Sequence, residues 1–271
     1  ALAQAGFTVD VLCGEPKEYY SGPKVSKKET VDGISIRRLS YLQPDRSHIL
    51  GRLVNYFSFT AAVFAHLGSL RNYRCALVYS NPPVLPWIVS WAKKLFGCRL
   101  VFVSYDLYPE LALRIGAMKP RGAIDRLMKH INRVVYPRLD RVVALSSEMK
   151  AFLEANRDVS PEKIAVIPNW YPDAGTPGRD KSGNRFAQEL GDKFVVSYFG
   201  NMGTIQDMQT ILDAIRALKE EKDIFFLFAG HGNKLEALKE AIAKEQLSNA
   251  RVLDYLHGKD YQDALDISGA A

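Results

Sequence analysis

The sequence predicts an α/β protein built from two consecutive domains, each organised around a parallel β-sheet. Short apolar strand-like segments alternate with amphipathic helix-like segments along most of the chain. A stretch rich in Pro, Gly and polar residues, "NWYPDAGTPGRDKSGN", interrupts this alternation, which then starts again. Because repeated strand–helix alternation is typical of parallel sheets with right-handed crossovers, we expect one domain over residues 1–168 and a second over residues 169–271.

The elements of the first domain are predicted from periodicity and turn residues. Apolar residues between Leu50 and Leu70 recur at steps of three and four, which predicts a helix, and "VDG" between two strand-like segments predicts a hairpin. Ser146 or Ser147 can cap the helix that runs through Asn156. The predicted strands are Phe7–Cys13, Ile34–Leu39, Cys75–Ser80, Arg99–Asp106, Arg141–Ser146 and Lys163–Pro168, and the other predicted helices are Val84–Phe96 and residues 121–137.

The second domain repeats the pattern after the linker. The predicted strands are Phe194–Phe199, Ile224–Ala229 and Arg251–Leu256, with helices at about 207–221, at about 234–245 and in the final segment "YQDALDISGAA". The chain opens on "ALAQAG", which is typical of the end of a helix, and it stops within the last predicted helix. We therefore expect a fragment cut at both ends.

Composition and charge favour some functional classes over others. Apolar residues make up 47% and charged residues 24%, as in a soluble globular protein, and we find neither a run of about 18–20 apolar residues nor a secretory signal pattern. The three cysteines form no metal-ligand or disulfide pattern and are expected to be reduced thiols. Residues 1–170 carry a formal charge of +10 and residues 171–271 carry −4, so the first half suits nucleic acid, an anionic membrane or a phosphorylated substrate.

Two glycine-rich segments of the second domain are the first candidate site. Open parallel sheets bind ligands beyond the carboxyl ends of their strands, and both "GNMG" and "GHGNK" follow predicted strands. Glycine lets a ligand approach the backbone, and a helix N-terminus suits a phosphate. The alternative is that the glycines only permit tight turns, that His231 is an exposed loop residue and that Lys234 is a solvated lysine. Neither segment matches a dinucleotide fingerprint or a Walker loop.

Two carboxylates form a second candidate site, in the first domain. Asp106 and Glu110 follow a predicted strand in "VSYDLYPE", where paired carboxylates could orient a hydroxyl group or take its proton. In the alternative interpretation Pro109 begins a helix and Glu110 stabilises its N-terminus.

The helix predicted at residues 121–137 has a basic side. It presents either a solvated face or a surface for anionic lipid, and no pattern typical of nucleic-acid binding accompanies it. The expected apolar face holds Ile124, Leu127, Ile131 and Val134, and the expected basic face holds Arg126, Lys129 and Arg133, with His130 beside them.

Seven segments in order carry a resemblance to a known family. The segments are "VDGISIRR", "VYSNPP", "YDLYPE", "VIPNWYPD", "SYFGNMGTIQDMQTILDA", "FLFAGHGNKLEALK" and "VLDYLHGKDYQDAL". With these segments the chain resembles the retaining nucleotide-sugar glycosyltransferases of the large "group 1" family, and is most similar to the branch that builds bacterial surface polysaccharides, such as lipopolysaccharide or capsule.

The resemblance implies a GT-B architecture, in which two Rossmann-like domains face each other across a cleft. The first domain would hold the acceptor and the second the donor nucleotide, without a metal or another cofactor. Asp106 and Glu110 would lie on the acceptor side. The turn at Gly200, Asn201, Met202 and Gly203 would lie against the donor diphosphate, and the loop at Gly230, His231, Gly232 and Lys234 near the nucleoside.

The implied function is transfer of a hexosyl or N-acetylhexosaminyl group, with retention, from a nucleoside diphosphate sugar to a glycan or a polyprenyl-diphosphate-linked acceptor. The implied location is cytoplasmic, with a peripheral contact to the inner face of the cell membrane through the basic face. Nucleic acid is not an expected partner. A GT-B-like UDP-sugar 2-epimerase and a non-catalytic GT-B partner subunit are the alternatives.

The sequence departs from the family pattern at three points. Asn201 and Gln206 stand where many relatives have an Arg and a Lys that neutralise the diphosphate, so we expect the balancing charge to come from elsewhere. Tyr105 stands where many relatives have a His, which leaves the acceptor-side role open. The family's first strand and its Glu-x7-Glu segment are expected outside the chain, so activity of the fragment itself is not expected.

Overall fold

The computed structural model describes residues 2–16, 25–44, 49–169, 183–203 and 205–270. The chain divides into two compact units, Ala1–Trp170 and Tyr171–Ala271. The domain boundary expected at 168/169 lies within two residues of this division. The linker segment lies for the most part outside the described residues.

The first unit contains two sheets. Four parallel strands form the larger sheet in the order β4-β5-β6-β7, and a smaller sheet has the order β1-β3-β2, with β1 parallel and β2 antiparallel to β3. The elements are β1 Asp10–Gly14, β2 Lys28–Val31, β3 Ile34–Leu39, α1 Ile49–Ala65, β4 Cys75–Tyr79, α2 Leu85–Phe96, β5 Arg99–Ser104, α3 Glu110–Arg114, α4 Ala123–Val135, β6 Arg141–Ala144, α5 Ser147–Asn156 and β7 Ile164–Val166, with short 3-10 helices at Leu67–Asn72, Tyr136–Arg138 and Pro161–Lys163.

The local signals for a hairpin and a helix cap are confirmed. Asp32 and Gly33, which connect β2 to β3, have φ of 50° and 78°, as the two central residues of a hairpin turn with mirror-image geometry require. The Ser146 hydroxyl accepts a hydrogen bond from the Met149 amide at 3.2 Å and so caps α5.

Helices pack against the larger sheet and bury its central strands. Leu100, Val142 and Ala144 are fully buried, as expected for parallel strands whose faces are covered. At the edge of the sheet, β4 alternates instead: Val78 is buried, whereas Leu77 is about half exposed. One face of this edge strand is therefore buried and the other is open to solvent.

Two predictions for this unit were wrong, the second only in part. The first strand begins at Asp10 rather than at Phe7, which is 64% exposed. In α4 the buried face is only partly the one expected, since Ile131 is buried but Ile124 and Leu127 are each 41% exposed. The side chains of α4 that are buried are Asp125, Met128, Ile131 and Val135.

The buried face of α4 includes a charged residue, Asp125, which is paired through one of its two carboxylate oxygens. One oxygen of Asp125 accepts from the Arg121 amide at 2.7 Å and from the Lys129 ammonium at 3.0 Å. These hydrogen bonds, that from Lys129 above all, hold the pKa of Asp125 below its ordinary value. The apolar residues of the helix fit two overlapping faces that share Ile131, and the buried one also holds Met128 and Val135.

The second unit has one sheet of four parallel strands, in the order β10-β9-β8-β11. Its core is centred on β9, where Leu227 and Phe228 are almost completely buried, and on Ile215 of α7. The elements are α6 Arg185–Leu190, β8 Phe194–Asn201, α7 Met208–Ala217, β9 Ile224–His231, α8 Leu235–Lys244, β10 Ala250–Leu253, α9 Gly258–Asp266 and β11 Ser268–Ala270.

The end of the chain differs from the prediction of a helix. The helix α9 stops at Asp266, and Ser268–Ala270 form a strand in which Ser268 pairs with Val195 of β8. The hydroxyl of Ser268 lies 2.6 Å from that of Ser197 and 2.8 Å from the Ala264 carbonyl. Pairing with an open sheet edge thus outweighs local helix propensity here.

No helix in the described parts of the chain is both long and apolar enough to cross a membrane.

Candidate functional site

The two glycine segments of the second unit lie side by side. Gly200 pairs with Gly230 and Asn201 pairs with His231, in register along β8 and β9. Both glycines therefore belong to extended strands rather than to turns, which corrects the prediction that "GNMG" and "GHGN" are turns from their first residue. The adjacency puts both segments at one edge of the sheet.

The glycines at this edge of the sheet differ in the space around their Cα atoms. A Cβ atom on Gly230 would lie 1.9 Å from the Gly200 carbonyl oxygen, and one on Gly232 would lie 2.3 Å from the Met202 carbonyl oxygen. These two positions thus need glycine because the two backbone segments, at the ends of β8 and β9, approach each other closely. At Gly200, with φ of 154°, no described residue other than its two chain neighbours has an atom within 4 Å of the place a Cβ would take, so this side of its Cα is open.

The open space beside Gly200 is a cavity of about 250 Å³. Aromatic side chains of the segment after β10 form its other wall, and the rings of Tyr255 and His257 lie 4.6 Å apart. The cavity is lined by Phe199, Gly200, Ala229, Gly230, Tyr255, Leu256, His257, Gly258 and Tyr261.

Sequence analysis missed the aromatic wall. Tyr255 and His257 follow the carboxyl end of β10, so the same rule that selected the glycine segments also applies to "DYLHG". That segment has no glycine pair or charge cluster of its own, and only its position after the carboxyl end of a strand indicates that it could bind a ligand.

Internal hydrogen bonds fix the segment that follows Gly200. The Met202 amide donates to the His231 carbonyl at 2.6 Å, and the Gly203 amide donates to the Gln206 side-chain oxygen at 3.1 Å. The Met202 side chain is completely buried, so only its backbone could face a ligand. Lys234 crosses this segment: its amide donates to the Met202 carbonyl and its ammonium to the Gln206 carbonyl, each at 2.9 Å.

The candidate acceptor-side residue Asp106 lies in the first unit, after β5. The Ser80 hydroxyl accepts from the amides of Tyr105 and Asp106, both at 3.1 Å, and so fixes the start of this segment. Asp106 borders a small cavity of about 20 Å³, together with Tyr108 and Asn132 among others. Burial raises the pKa of Asp106 above its ordinary value.

The second carboxylate, Glu110, lies in a different environment. It is the first residue of α3, and its carboxylate accepts from the Arg157 guanidinium at 2.6 Å. Arg157 also donates to the Tyr108 carbonyl at 3.2 Å, and its guanidinium lies over the ring of Phe152 at 5.4 Å. The carboxylate of Glu110 is thus paired with Arg157, whereas Asp106 borders the small cavity.

The basic face of α4 is exposed. Arg126, Lys129 and Arg133 all reach solvent, although Lys129 is also paired with Asp125 at 3.0 Å. The side chains of Ile124 and Leu127 are exposed on the same helix. Basic and apolar groups thus share its solvent side.

Metal-ligand groupings are absent from the part of the chain that the structure describes, which contains no cluster of three or more His, Cys, Asp or Glu residues suited to hold a metal ion.

The first unit coincides with a family match. Residues 1–170 match the model of the glycosyl transferase 4-like domain. The chain belongs to this family. The predicted resemblance to the group 1 nucleotide-sugar glycosyltransferases is thereby confirmed.

Two curated relatives of this chain are named as glycosyltransferases. It is 27% identical over 198 residues to a probable glycosyltransferase, WbjE, of Pseudomonas aeruginosa, and 26% identical over 257 residues to a putative colanic acid biosynthesis glycosyl transferase, WcaI, of Escherichia coli K12. The matches cover 71% and 89% of this chain. The chain spans only 49% and 62% of the lengths of these two relatives.

A solved structure with the same fold is that of HepE from Anabaena in complex with UDP and glucose. It matches with a TM-score of 0.59 and 17% identity, over 87% of this chain and 60% of that chain. The likeness confirms the predicted GT-B-type α/β fold.

Proposed function

We propose that this chain is part of a glycosyltransferase that takes its sugar from a nucleoside diphosphate sugar. The observation that carries the proposal is the cavity beside Gly200 in the second unit, at the carboxyl ends of β8, β9 and β10. Parallel sheets bind nucleotides at this edge, and a cavity of about 250 Å³ with aromatic walls suits a nucleoside. The family match and the UDP and glucose in the HepE structure support the same reading.

Within this proposal each side of the second unit's site has its own task. The rings of Tyr255 and His257 lie beside the base, and the open Cα face of Gly200 lets the sugar and phosphate groups pass close to the backbone. The segment Gly200–Gly203 lies on the diphosphate side, and the end of β9 at Gly230 completes the wall.

The proposed acceptor-side residue is Asp106. Its carboxylate is partly buried and has a raised pKa, so it is suited to orient an acceptor hydroxyl group and to share its proton. Glu110, which is paired with Arg157, holds the segment in place. We further propose transfer with retention, as in the group 1 enzymes that the motifs resemble.

The proposed acceptor is a glycan or a lipid-linked precursor of a surface polysaccharide. The name of the relative WcaI refers to colanic acid biosynthesis, and the first unit has a formal charge of +10. A cytoplasmic location at the inner face of the membrane fits such an acceptor. The names of the two relatives give no support to an epimerase or to a non-catalytic subunit.

The proposed membrane contact is the basic face of α4. Arg126 and Arg133 would meet anionic headgroups while Ile124 and Leu127 enter the interface. Each basic residue near such a surface contributes about 1 kcal/mol, so replacing both arginines by Gln should weaken binding to vesicles containing phosphatidylglycerol by about thirtyfold.

Flotation of the 271-residue chain with anionic and neutral vesicles tests this contact. The control variant replaces Lys222 and Lys244, which are exposed in the second unit, by Gln and removes the same charge. Equal loss in both variants, or equal binding of the wild-type chain to neutral and anionic vesicles, contradicts the membrane contact.

The donor site is tested by a thermal-shift screen with UDP, GDP, ADP and CDP. Binding raises apparent stability by mass action, by about 2.7 kcal/mol when the ligand is at a hundred times its Kd. We expect one of these nucleotides to stabilise the chain and Tyr255→Ala to reduce the shift. The absence of a shift with every nucleotide contradicts the proposed function.

A further inference from the structure

We infer that the Lys234 ammonium neutralises the diphosphate of the bound nucleotide. The inference rests on the proposed function and names the residue that supplies the missing charge of the donor site. The segment Gly200–Asp207 contains no Lys or Arg, although it borders the place proposed for the diphosphate. An anion that leaves bulk water needs hydrogen bonds and a compensating charge.

Two backbone amides of this segment are already occupied. The Met202 and Gly203 amides, which a glycine turn would direct at a phosphate, donate instead to the His231 carbonyl and to the Gln206 side chain. Gly203 is also buried. A cation from a neighbouring element would supply the charge that these two amides do not.

Lys234 comes from such an element, the connection between β9 and α8. Its amide is bonded to the Met202 carbonyl, two residues past Gly200, which is about 7 Å along an extended strand. Its ammonium reaches the Gln206 carbonyl at 2.9 Å on the other side of the segment. Lys234 is therefore bonded at two points to the segment that continues from Gly200, which lines the cavity, and the proposed function puts the phosphates beside this segment.

Among the residues that the structure describes, none forms an ion pair with Lys234. Its described side-chain hydrogen bond is to a neutral carbonyl and uses one of the three donors that an ammonium group has. Asp207 is the nearby carboxylate, and its pKa is lowered chiefly by hydrogen bonds from Thr210 and to a smaller extent by Lys234. Asp207 is exposed and occupied as the cap of α7.

Other cations near this edge are held by carboxylates at short range. Lys259, in the first turn of α9, is 2.5 Å from Asp263, and Arg185 is 3.2 Å from Asp260. Lys239, one turn further along α8, contacts Glu236 at 3.1 Å. Among these described cations, Lys234 is the one placed against the Gly200–Asp207 segment.

The experiment compares diphosphate and monophosphate of one nucleoside by calorimetric titration of the 271-residue chain. UDP with UMP is the first pair, and the screen above replaces it if another base binds. In the wild-type chain we expect the diphosphate to bind more tightly than the monophosphate. In Lys234→Gln, which keeps a donor for the Gln206 carbonyl but has no charge, we expect that advantage to fall by about tenfold or more, while monophosphate affinity changes little.

Two further variants make the result specific. Lys239→Gln removes a charge from α8, the helix that follows Lys234, and should leave the ratio of the two affinities unchanged. Lys234→Arg should restore part of the diphosphate advantage, and it serves as the second measurement if Lys234→Gln does not fold. An unchanged ratio in Lys234→Gln, or an equal loss for both nucleotides, overturns the inference while the proposed donor site stands. If the wild-type chain binds no nucleotide, the proposed function fails and the inference falls with it.

Discussion

The ion pair between Arg157 and Glu110 should stabilise the first unit measurably. Breaking a buried pair costs about 3–5 kcal/mol because it strands the remaining charge. In Arg157→Met the stranded group is Glu110, whose side chain is 34% exposed and keeps part of its hydration, whereas Arg157 itself is only 7% exposed. We therefore expect a loss below this range, of about 2 kcal/mol. The lost hydrogen bond to the Tyr108 carbonyl at 3.2 Å acts in the same direction.

Tryptophan fluorescence during urea unfolding measures this loss, because all three tryptophans lie in Ala1–Trp170. The control is Lys150→Met, which removes a longer pair with Glu154 at 3.8 Å on the surface of α5 and should cost less than about 0.5 kcal/mol. In the double variant Arg157→Met/Glu110→Leu no charge is stranded, so part of the loss should return. If Arg157→Met is as stable as the control, or if the two substitutions add without coupling, the pair does not hold this segment.

Two further predictions concern Gly230 and Asp106. Gly230→Ala should destabilise the second unit by about 1–3 kcal/mol more than Gly200→Ala, because the two glycines have a similar φ but only Gly230→Ala puts a Cβ against a carbonyl oxygen. Circular dichroism during thermal unfolding measures the two losses. Equal losses contradict the close approach of the two strands. Asp106→Asn should raise the thermal stability at neutral pH and lose that gain in acid. The pKa of Asp106 is raised in the folded state, so its ionisation lowers the stability of the fold as the pH rises above the pKa of the unfolded chain, about 3.9. A stability gain of Asp106→Asn that is the same at every pH refutes the burial of this charge.

The fold could be predicted because its signals are local and repeated. The restart of strand–helix alternation after a Pro- and Gly-rich stretch indicated two units, and "VDG" and Ser146 marked a turn and a cap within four residues of sequence. Where two local signals competed, prediction failed. The periodicity of α4 allowed two buried faces, and Ser268 joined the sheet because β8 offers an edge that lies 71 residues away in sequence.

The candidate site was only partly predictable, for a similar reason. The glycines after β8 and β9 are visible in sequence, but Gly230 is fixed by the Gly200 carbonyl, a contact between strands. The Arg157–Glu110 pair joins residues 47 apart, and the Lys234–Gln206 bond joins residues 28 apart. No local sequence pattern predicts such contacts, so the contacts of these side chains can be read only from the folded chain.

Hydrogen–deuterium exchange of the 271-residue chain, with and without the nucleoside diphosphate that stabilises it, tests the central claim most directly. The account predicts protection centred on the cavity of the second unit, at the ends of β8 and β9 and in the segment after β10, with Tyr255→Ala reducing it. Protection confined to the first unit, or no protection with any of the four nucleotides, would contradict a donor site beside Gly200.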